Sequence, residues 1–162
     1  MKRVHQYQTT TIWTGNQGTG TSSYTNYLRN HIYEAPGKVT LEGSADPAFR
    51  GDATRWNPEE LFLNAISSCH MLWFLHLCAD VGITVIEYTD QANGIMNELE
   101  GGGGHFSEVQ LQPSVTILER NKTELANSLH EDAGKKCFIA NSCNFPIKYV
   151  PQCMVSIPRE RE

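Results

Sequence analysis

Asn57-Pro58-Glu59-Glu60-Leu61-Phe62-Leu63-Asn64-Ala65-Ile66-Ser67-Ser68-Cys69-His70 opens the longest apolar segment of this 162-residue chain. Its first residues predict a helix. Asn57 suits the N-cap, and Pro58 suits the first helical position, where an N–H would have no partner. Glu59 and Glu60 put negative charge at the positive end of the helix dipole. Gly82 follows Val81 as a C′ residue and ends the segment. About 24 residues at ~1.5 Å rise give a helix roughly 36 Å long. Leu61, Phe62, Ala65, Ile66, Cys69, Leu72, Trp73 and Leu75 cover more than one face, which predicts a core helix buried nearly all round. Asn64, Ser67, Ser68, His70 and His76 make the segment too polar for a bilayer span.

The segments on either side read as strands. Residues 9–13 alternate and are β-branched, 15–20 form a turn, and 30–34 and 38–42 are short strands about Ala35-Pro36-Gly37. Residues 44–55, with Pro47 and Gly51, make a loop that feeds the helix. Beyond Gly82, residues 84–88 alternate and are expected to pair with 94–98 across a turn at 90–93. The glycines at 101–104 are a flexible turn without phosphate-loop context, because no helix with Lys-Ser or Lys-Thr follows them. Residues 105–118 are strand-like, interrupted at Pro113. A second helix is expected over 122–142, where Leu125, Leu129, Ala133, Cys137 and Ala140 recur at intervals of three and four. Final strands are expected at 147–150 and 154–157. The order β, helix, β, helix, β predicts a single α+β domain over 1–162.

Composition narrows the function classes. Charged residues at 19% against 40% hydrophobic ones describe an ordinary soluble globular protein. A formal charge of −5, with Lys122, Lys135, Lys136 and Lys148 scattered, leaves no basic stripe for nucleic acid or an anionic membrane. Residues 1–14 show no charged-then-apolar secretion signal. Five cysteines in such a chain point to a reducing compartment, the cytoplasm. Cys137 and Cys143, six apart, are the nearest pair, which excludes a zinc finger or ribbon.

The cysteines offer chemistry. A free thiol with pKa about 8.5 is mostly protonated at neutral pH, so peroxide attack needs a group that favours the anion. Cys69 lies about three turns from its helix N-terminus, too far to use it. Arg50, in the preceding loop, is the best nearby cation, and Glu59 could orient its guanidinium by a forked pair. Attack would give a sulfenic acid at Cys69, which Cys137 would trap as a disulfide. Cys78, nine residues on from Cys69, falls on the opposite side of the helix and should be structural. Each residue also has a plainer role: cysteine is a frequent core residue, Glu59 answers the helix dipole, and Arg50 suits a solvated loop.

A metal site is not expected. Cys69 and His70 diverge on the helix, and His130 and Cys137 lie two turns apart. Trp56, Trp73, Phe74 and Phe138 are expected to line a hydrophobic pocket, suited to an apolar hydroperoxide more than to hydrogen peroxide.

This constellation resembles the OsmC/Ohr family, the osmotically inducible protein C and organic hydroperoxide resistance proteins. The likeness runs from Trp13 to the last strands. It is most specific at Asn57-Pro58-Glu59-Glu60-Leu61, with Cys69 ten residues after Glu59, and Cys137 stands at the second cysteine position. The resemblance implies an OsmC-like α+β fold, with β-sheets packed around two central cysteine-bearing helices in an intertwined homodimer, and sites at the dimer interface. It implies reduction of organic hydroperoxides with a dithiol reductant such as a lipoyl group. Cys69 would be peroxidatic and Cys137 resolving, supported by Glu59 and Arg50. Phe138-Ile139-Ala140-Asn141-Ser142 replaces the family's frequent Pro and Val-Ser, and His70 to Phe74 is bulky, so the chain resembles a divergent branch. Arg29 and Arg55 are rival arginines, and Cys143 is a rival resolving thiol. The alternative is a non-catalytic dimer that binds a small apolar ligand, with a Cys/His metal site ranked after it.

Overall fold

Asn57 caps the long helix, α1 (Pro58–Asp80). Its side-chain oxygen accepts from the Glu60 amide at 2.8 Å, and the Glu60 carboxylate accepts in return from the Asn57 amide at 3.1 Å. Two amides that a helix start would leave open are thus satisfied reciprocally. At the other end Gly82 adopts φ +68. Its amide donates to Ala79 O, and that of Ile83 donates to Cys78 O at 2.8 Å. This is a Schellman stop, which needs the left-handed residue that glycine supplies.

The computed structural model describes residues 3–156, which divide into two units between Leu61 and Phe62. In the first unit, β1 (Thr10–Trp13), β2 (His31–Glu34) and β3 (Leu41–Gly43) form one antiparallel sheet in that order. The third strand starts later than expected. Gly43 lies opposite His31, where a Cβ would come within 2.5 Å of the imidazole Nε2. A short 3-10 turn at Pro47–Phe49 follows, capped by Asp46 and closed by Arg50.

The second unit contains β4 (Val85–Asp90), β5 (Asn93–Glu98), β6 (Gly104–Leu111), β7 (Pro113–Ile117), α2 (Thr123–Lys136), β8 (Ile147–Tyr149) and β9 (Gln152–Val155). The expected β4–β5 pairing does not form. Instead β4 pairs with β7 and β5 with β6, both antiparallel. The pairs Asp90↔Pro113 and Asn93↔Gln110 continue one register, so these strands make a single long hairpin bent at residues 91–92 and 112. The reversal is at Gly101, Gly102 and Gly103, which all have positive φ. Asp90 holds the bend: one carboxylate oxygen accepts from the Gln112 amide at 2.7 Å and the other from the Ser67 hydroxyl of α1. Beyond the bend the arms separate into two sheets, ordered β4-β7-β9 and β5-β6-β8, and the last strand of each joins in parallel. The strand expected at 154–157 is β9, two residues earlier, and Ile157 lies outside the described residues.

Residues Ile66, His70, Phe74 and Cys78, four apart, are the buried stripe of α1. They meet Val109 and Leu111 at one end and Val115, Ile117, Leu129 and Ala133 at the other. All-round burial is not met within one chain: the remaining apolar positions are half-buried or exposed, and Leu72 is 63% exposed. By length and mean hydropathy of 1.4, α1 would also qualify as a bilayer span, but its stripe packs as a core helix does.

The second helix ends earlier than expected. α2 stops at Lys136, and Cys137 is its C-cap in an extended conformation, φ −66 and ψ 114. The Cys137 sulfur accepts the Ala140 amide at 3.3 Å, and Asn141 Nδ2 donates to Lys135 O at 2.9 Å. These bonds replace continued helix and turn residues 140–142 into a 3-10 segment.

Candidate functional site

In the second unit the fold brings Cys69 and Cys137 together. Cys69 is half-buried on the third turn of α1, and Cys137 is fully buried at the end of α2. Burial pushes the Cys137 thiol up to about 12, and a hydrogen bond with the Cys69 thiol adds to the rise. Burial and the neighbouring Cys69 thiol both favour the protonated form of Cys137. Both thiols are free, as are Cys78, Cys143 and Cys153. Cys78 is buried in the core and also pushed up to about 12, first by burial and then by Cys153 and Glu119. Cys143 is half-buried, and its thiol donates to Ile139 O at 3.3 Å. Cys137 Sγ and Cys143 Sγ thus bracket one peptide group from its N–H and C=O sides.

The aromatic residues do not all join them. Trp73 and Phe138 pack edge to face at 6.1 Å, with Lys136 Nζ 5.5 Å from the Trp73 ring. Phe74, expected in a pocket wall, is instead fully buried in the core. Trp56 lies in the first unit and is exposed.

Glu59, Arg50, Arg29 and Arg55 lie in the first unit. The two adjacent glutamates have separate tasks. Glu60 is used in the capping box, whereas the Glu59 Oε2 atom is buried without a partner among the described residues. A cavity of about 310 Å³ lies beside Glu59, between Trp13, Tyr27, Phe49 and Arg29. Arg29 is clamped: its guanidinium sits 4.3 Å and 4.2 Å from the Tyr24 and Tyr27 ring centroids and donates to both backbone carbonyls. Arg55 is paired with Glu42 and Asp52, each at 3.4 Å. Arg50 is exposed and makes no ion pair among the described residues, so the forked pair with Glu59 is not formed here. It is also the one non-glycine among the described residues with positive φ, 66°. That backbone is uncommon for a side-chain-bearing residue, and such outliers gather at functional sites. The following Gly51 packs so closely that a Cβ there would overlap Ala45 O.

Sequence reasoning set His70 and His130 apart as failed ligands of two different cysteines, and they are in fact partners. His70 Nε2 and His130 Nδ1 are 2.9 Å apart, and their rings lie between Tyr149 and Phe74 in one stack. No local pattern marks a pair sixty residues apart. Tyr149 was missed, and its one signal was Gly134 within the second helix, which marks a close approach; for Glu59, already named, the capping box Asn57-x-x-Glu60 adds that it is released from capping.

Residues 51–150 match the family model described as OsmC-like protein. An OsmC-like protein of unknown function from Vibrio cholerae O1 biovar eltor is 28% identical, with a TM-score of 0.80 over 93% of this chain and 100% of its own. An organic hydroperoxide resistance protein from Elizabethkingia anophelis, with thiocyanate bound, is 19% identical, with a TM-score of 0.67 over 96% of this chain and 100% of its own. One from Legionella pneumophila is 16% identical, with a TM-score of 0.64 over 96% and 100%. The comparison with curated proteins finds no match.

Proposed function

This chain belongs to the OsmC-like protein family, and from that premise we propose that it is a thiol-dependent peroxidase of organic hydroperoxides. The observation that carries the reading is the proximity of Cys69 to Cys137, whose thiol is kept protonated first by burial and then by Cys69. In the proposed cycle the Cys69 thiolate attacks the distal peroxide oxygen, the O–O bond breaks, and an alkoxide leaves. Cys137 then attacks the sulfur of the Cys69 sulfenic acid, releasing water and leaving a disulfide. A dithiol, of which a lipoyl group is the expected kind, returns both thiols to the reduced state.

Burial of Cys137 suits a resolving thiol that stays protonated until its target forms. Glu59 and Arg50 are proposed as the supporting pair, and the open Glu59 oxygen and the strained Arg50 backbone favour them over Arg55, which is already paired. The proposed assembly is a homodimer whose second copy covers the apolar positions of α1 left open in one chain. Five free thiols fit a reducing, cytoplasmic setting.

The aromatic cavity beside Glu59 favours one other reading, a binder of small apolar ligands without turnover. Hydroperoxide consumption by wild type and Cys69→Ser, with several dithiols as reductant, separates the two. The peroxidase consumes substrate only with Cys69 present, and equal background consumption by both proteins rejects it.

A further inference from the structure

The proposed peroxide cleavage leaves a strongly basic alkoxide, which needs a proton to depart as an alcohol. One side chain in the second unit is placed to supply it. The Tyr149 ring of β8 stacks on His70, the neighbour of Cys69, with centroids 4.6 Å apart and planes within 20°. Its hydroxyl end lies against Gly134 of α2, three residues before Cys137, where a Cβ would stand 2.6 Å from the phenolic oxygen. Glycine weakens a helix interior, and here its bare backbone is the notch that admits the phenol. The ring is therefore fixed from both sides, between the residue after Cys69 and the helix that ends at Cys137.

The phenol is also electrostatically tied to the thiols. Burial raises it to about 12, and the nearby Cys137, Cys143 and Cys69 add to the rise. It stays protonated at neutral pH, no hydrogen bond contributes to its shift, and the residue is only half-buried. Its hydroxyl is thus a protonated donor near the sulfurs.

We propose that Tyr149 is a catalytic residue, the acid that protonates the alkoxide as Cys69 cleaves the hydroperoxide; this rests on the peroxidase reading above. The Cys69 thiolate forms the S–O bond, and the O–O electron pair leaves with the alkoxy oxygen. The Tyr149 O–H proton moves to that oxygen, so the product departs as the alcohol. The phenolate then recovers a proton from the more acidic sulfenic acid, leaving a Cys69 sulfenate. Attack by Cys137, with its own proton, completes the disulfide and expels hydroxide, which takes a solvent proton.

Tyr149→Phe keeps the stack on His70 and the fit to Gly134 and removes only the donor. Two oxidants separate an acid from a structural residue: tert-butyl hydroperoxide leaves as a basic alkoxide, and peracetic acid leaves as acetate, which needs no proton. Single-turnover oxidation of Cys69 in Tyr149→Phe should be about a hundredfold slower than wild type with tert-butyl hydroperoxide and within about threefold with peracetic acid, in line with the usual range for general-acid loss. Gly134→Ala, which pushes the phenol out of its notch, should show the same selective loss. Equal slowing with both oxidants, or none with either, overturns the inference while leaving the peroxidase reading intact. A wild type that neither oxidant oxidises at Cys69 overturns that reading and this inference together.

Discussion

His70 and His130 share a hydrogen bond of 2.9 Å inside the second unit, with 0% and 1% of their surfaces exposed. The rings must be neutral to sit there. In either tautomer one ring donates into the shared bond, and the far nitrogens, His70 Nδ1 and His130 Nε2, find no partner among the described residues. Burial lowers His70 to about 4, and burial together with the His70 charge lowers His130 to about 3.

Both folded values lie below the unfolded value of about 6.5, so the unfolded chain binds more protons between them. The contribution of the pair is full above about 6.5 and is lost as pH falls toward the folded values. At about 1.4 kcal/mol per unit, several kcal/mol disappear in that window. Urea unfolding at pH 7.5, 6 and 5 should show the decline, and His130→Gln should flatten it. Asp52 and Glu119, lowered by hydrogen bonds from Thr54 and Thr84, lose their contributions only at more acid pH. A wild-type stability independent of pH across this window would contradict the buried neutral pair.

The capping box separates stability from activity at adjacent positions. Asn57→Ala should cost about 0.5–2 kcal/mol by removing the acceptor for Glu60 N–H. Glu60→Ala should cost a similar or smaller amount, with thiol reactivity retained in the folded fraction. Glu59→Gln should change denaturant stability by at most about 1 kcal/mol, the scale of a charge lost from a helix N-terminus, and should slow peroxide oxidation of Cys69. Stopped-flow oxidation beside equilibrium unfolding reads both, and the reverse pattern would exchange the roles of the two glutamates.

One equivalent of an organic hydroperoxide should produce a Cys69–Cys137 crosslinked peptide in mass spectrometry. In Cys137→Ser the sulfenic acid should persist at Cys69 and advance to sulfinic acid with excess peroxide. A Cys69–Cys143 crosslink in wild type would transfer resolution to Cys143, which lies across the same peptide group from Cys137.

The arginines can be ranked by substitution. Arg50→Met should slow Cys69 oxidation most, and Arg50→Lys should recover part of the rate, since an ammonium keeps charge but loses the planar fork. Arg55→Met should leave the rate near wild type while removing the ion pairs to Glu42 and Asp52, with little loss of stability because both carboxylates are open to solvent. Arg29→Met should disturb the Tyr24–Tyr27 clamp, detected as a change in tyrosine fluorescence. A rate that responds to Arg29 and not to Arg50 would move the supporting role to Arg29.

Sedimentation equilibrium at micromolar concentration should find a dimer. Leu72 of α1 is exposed in the single chain, and the proposed second copy would cover it. Leu72→Glu should then shift the equilibrium to monomer. A wild-type monomer would remove the proposed shared assembly.

What could be read in advance was local. Asn57-Pro58 and Gly82 mark the ends of α1 because capping depends on the residues at the cap alone. The reversal at 90–93 was misplaced because Asp90, Asn93 and Gly94 have turn chemistry, yet Asp90 spends its carboxylate on Gln112 and Ser67. Glycines 101–103, read as a flexible turn, carry the real reversal of the hairpin. The end of α2 at Lys136 was hidden because the periodicity of Leu125, Leu129 and Ala133 continues to Cys137 and Ala140, while the bonds that stop the helix come from a cysteine sulfur and an asparagine amide. The site divided along the same line: the motif pointed to Cys69 and Cys137, whereas the partners of His70 and Tyr149 depend on strands and helices distant in the chain.

The parallel additions of β8 and β9 have a consequence for the order of assembly during synthesis. Each three-stranded sheet of the second unit has β6 or β7 at its centre, and its final strand comes from residues 147–155. The hairpin and both helices emerge from the ribosome earlier, but the β5-β6-β8 sheet cannot be completed until Tyr149 has cleared the exit tunnel, nor the β4-β7-β9 sheet until Val155 has. Until then β6 and β7 each present an open edge that could pair with another nascent chain. Chains stalled before Ile147 should therefore be the aggregation-prone species, and the last strands should complete folding only after their own synthesis.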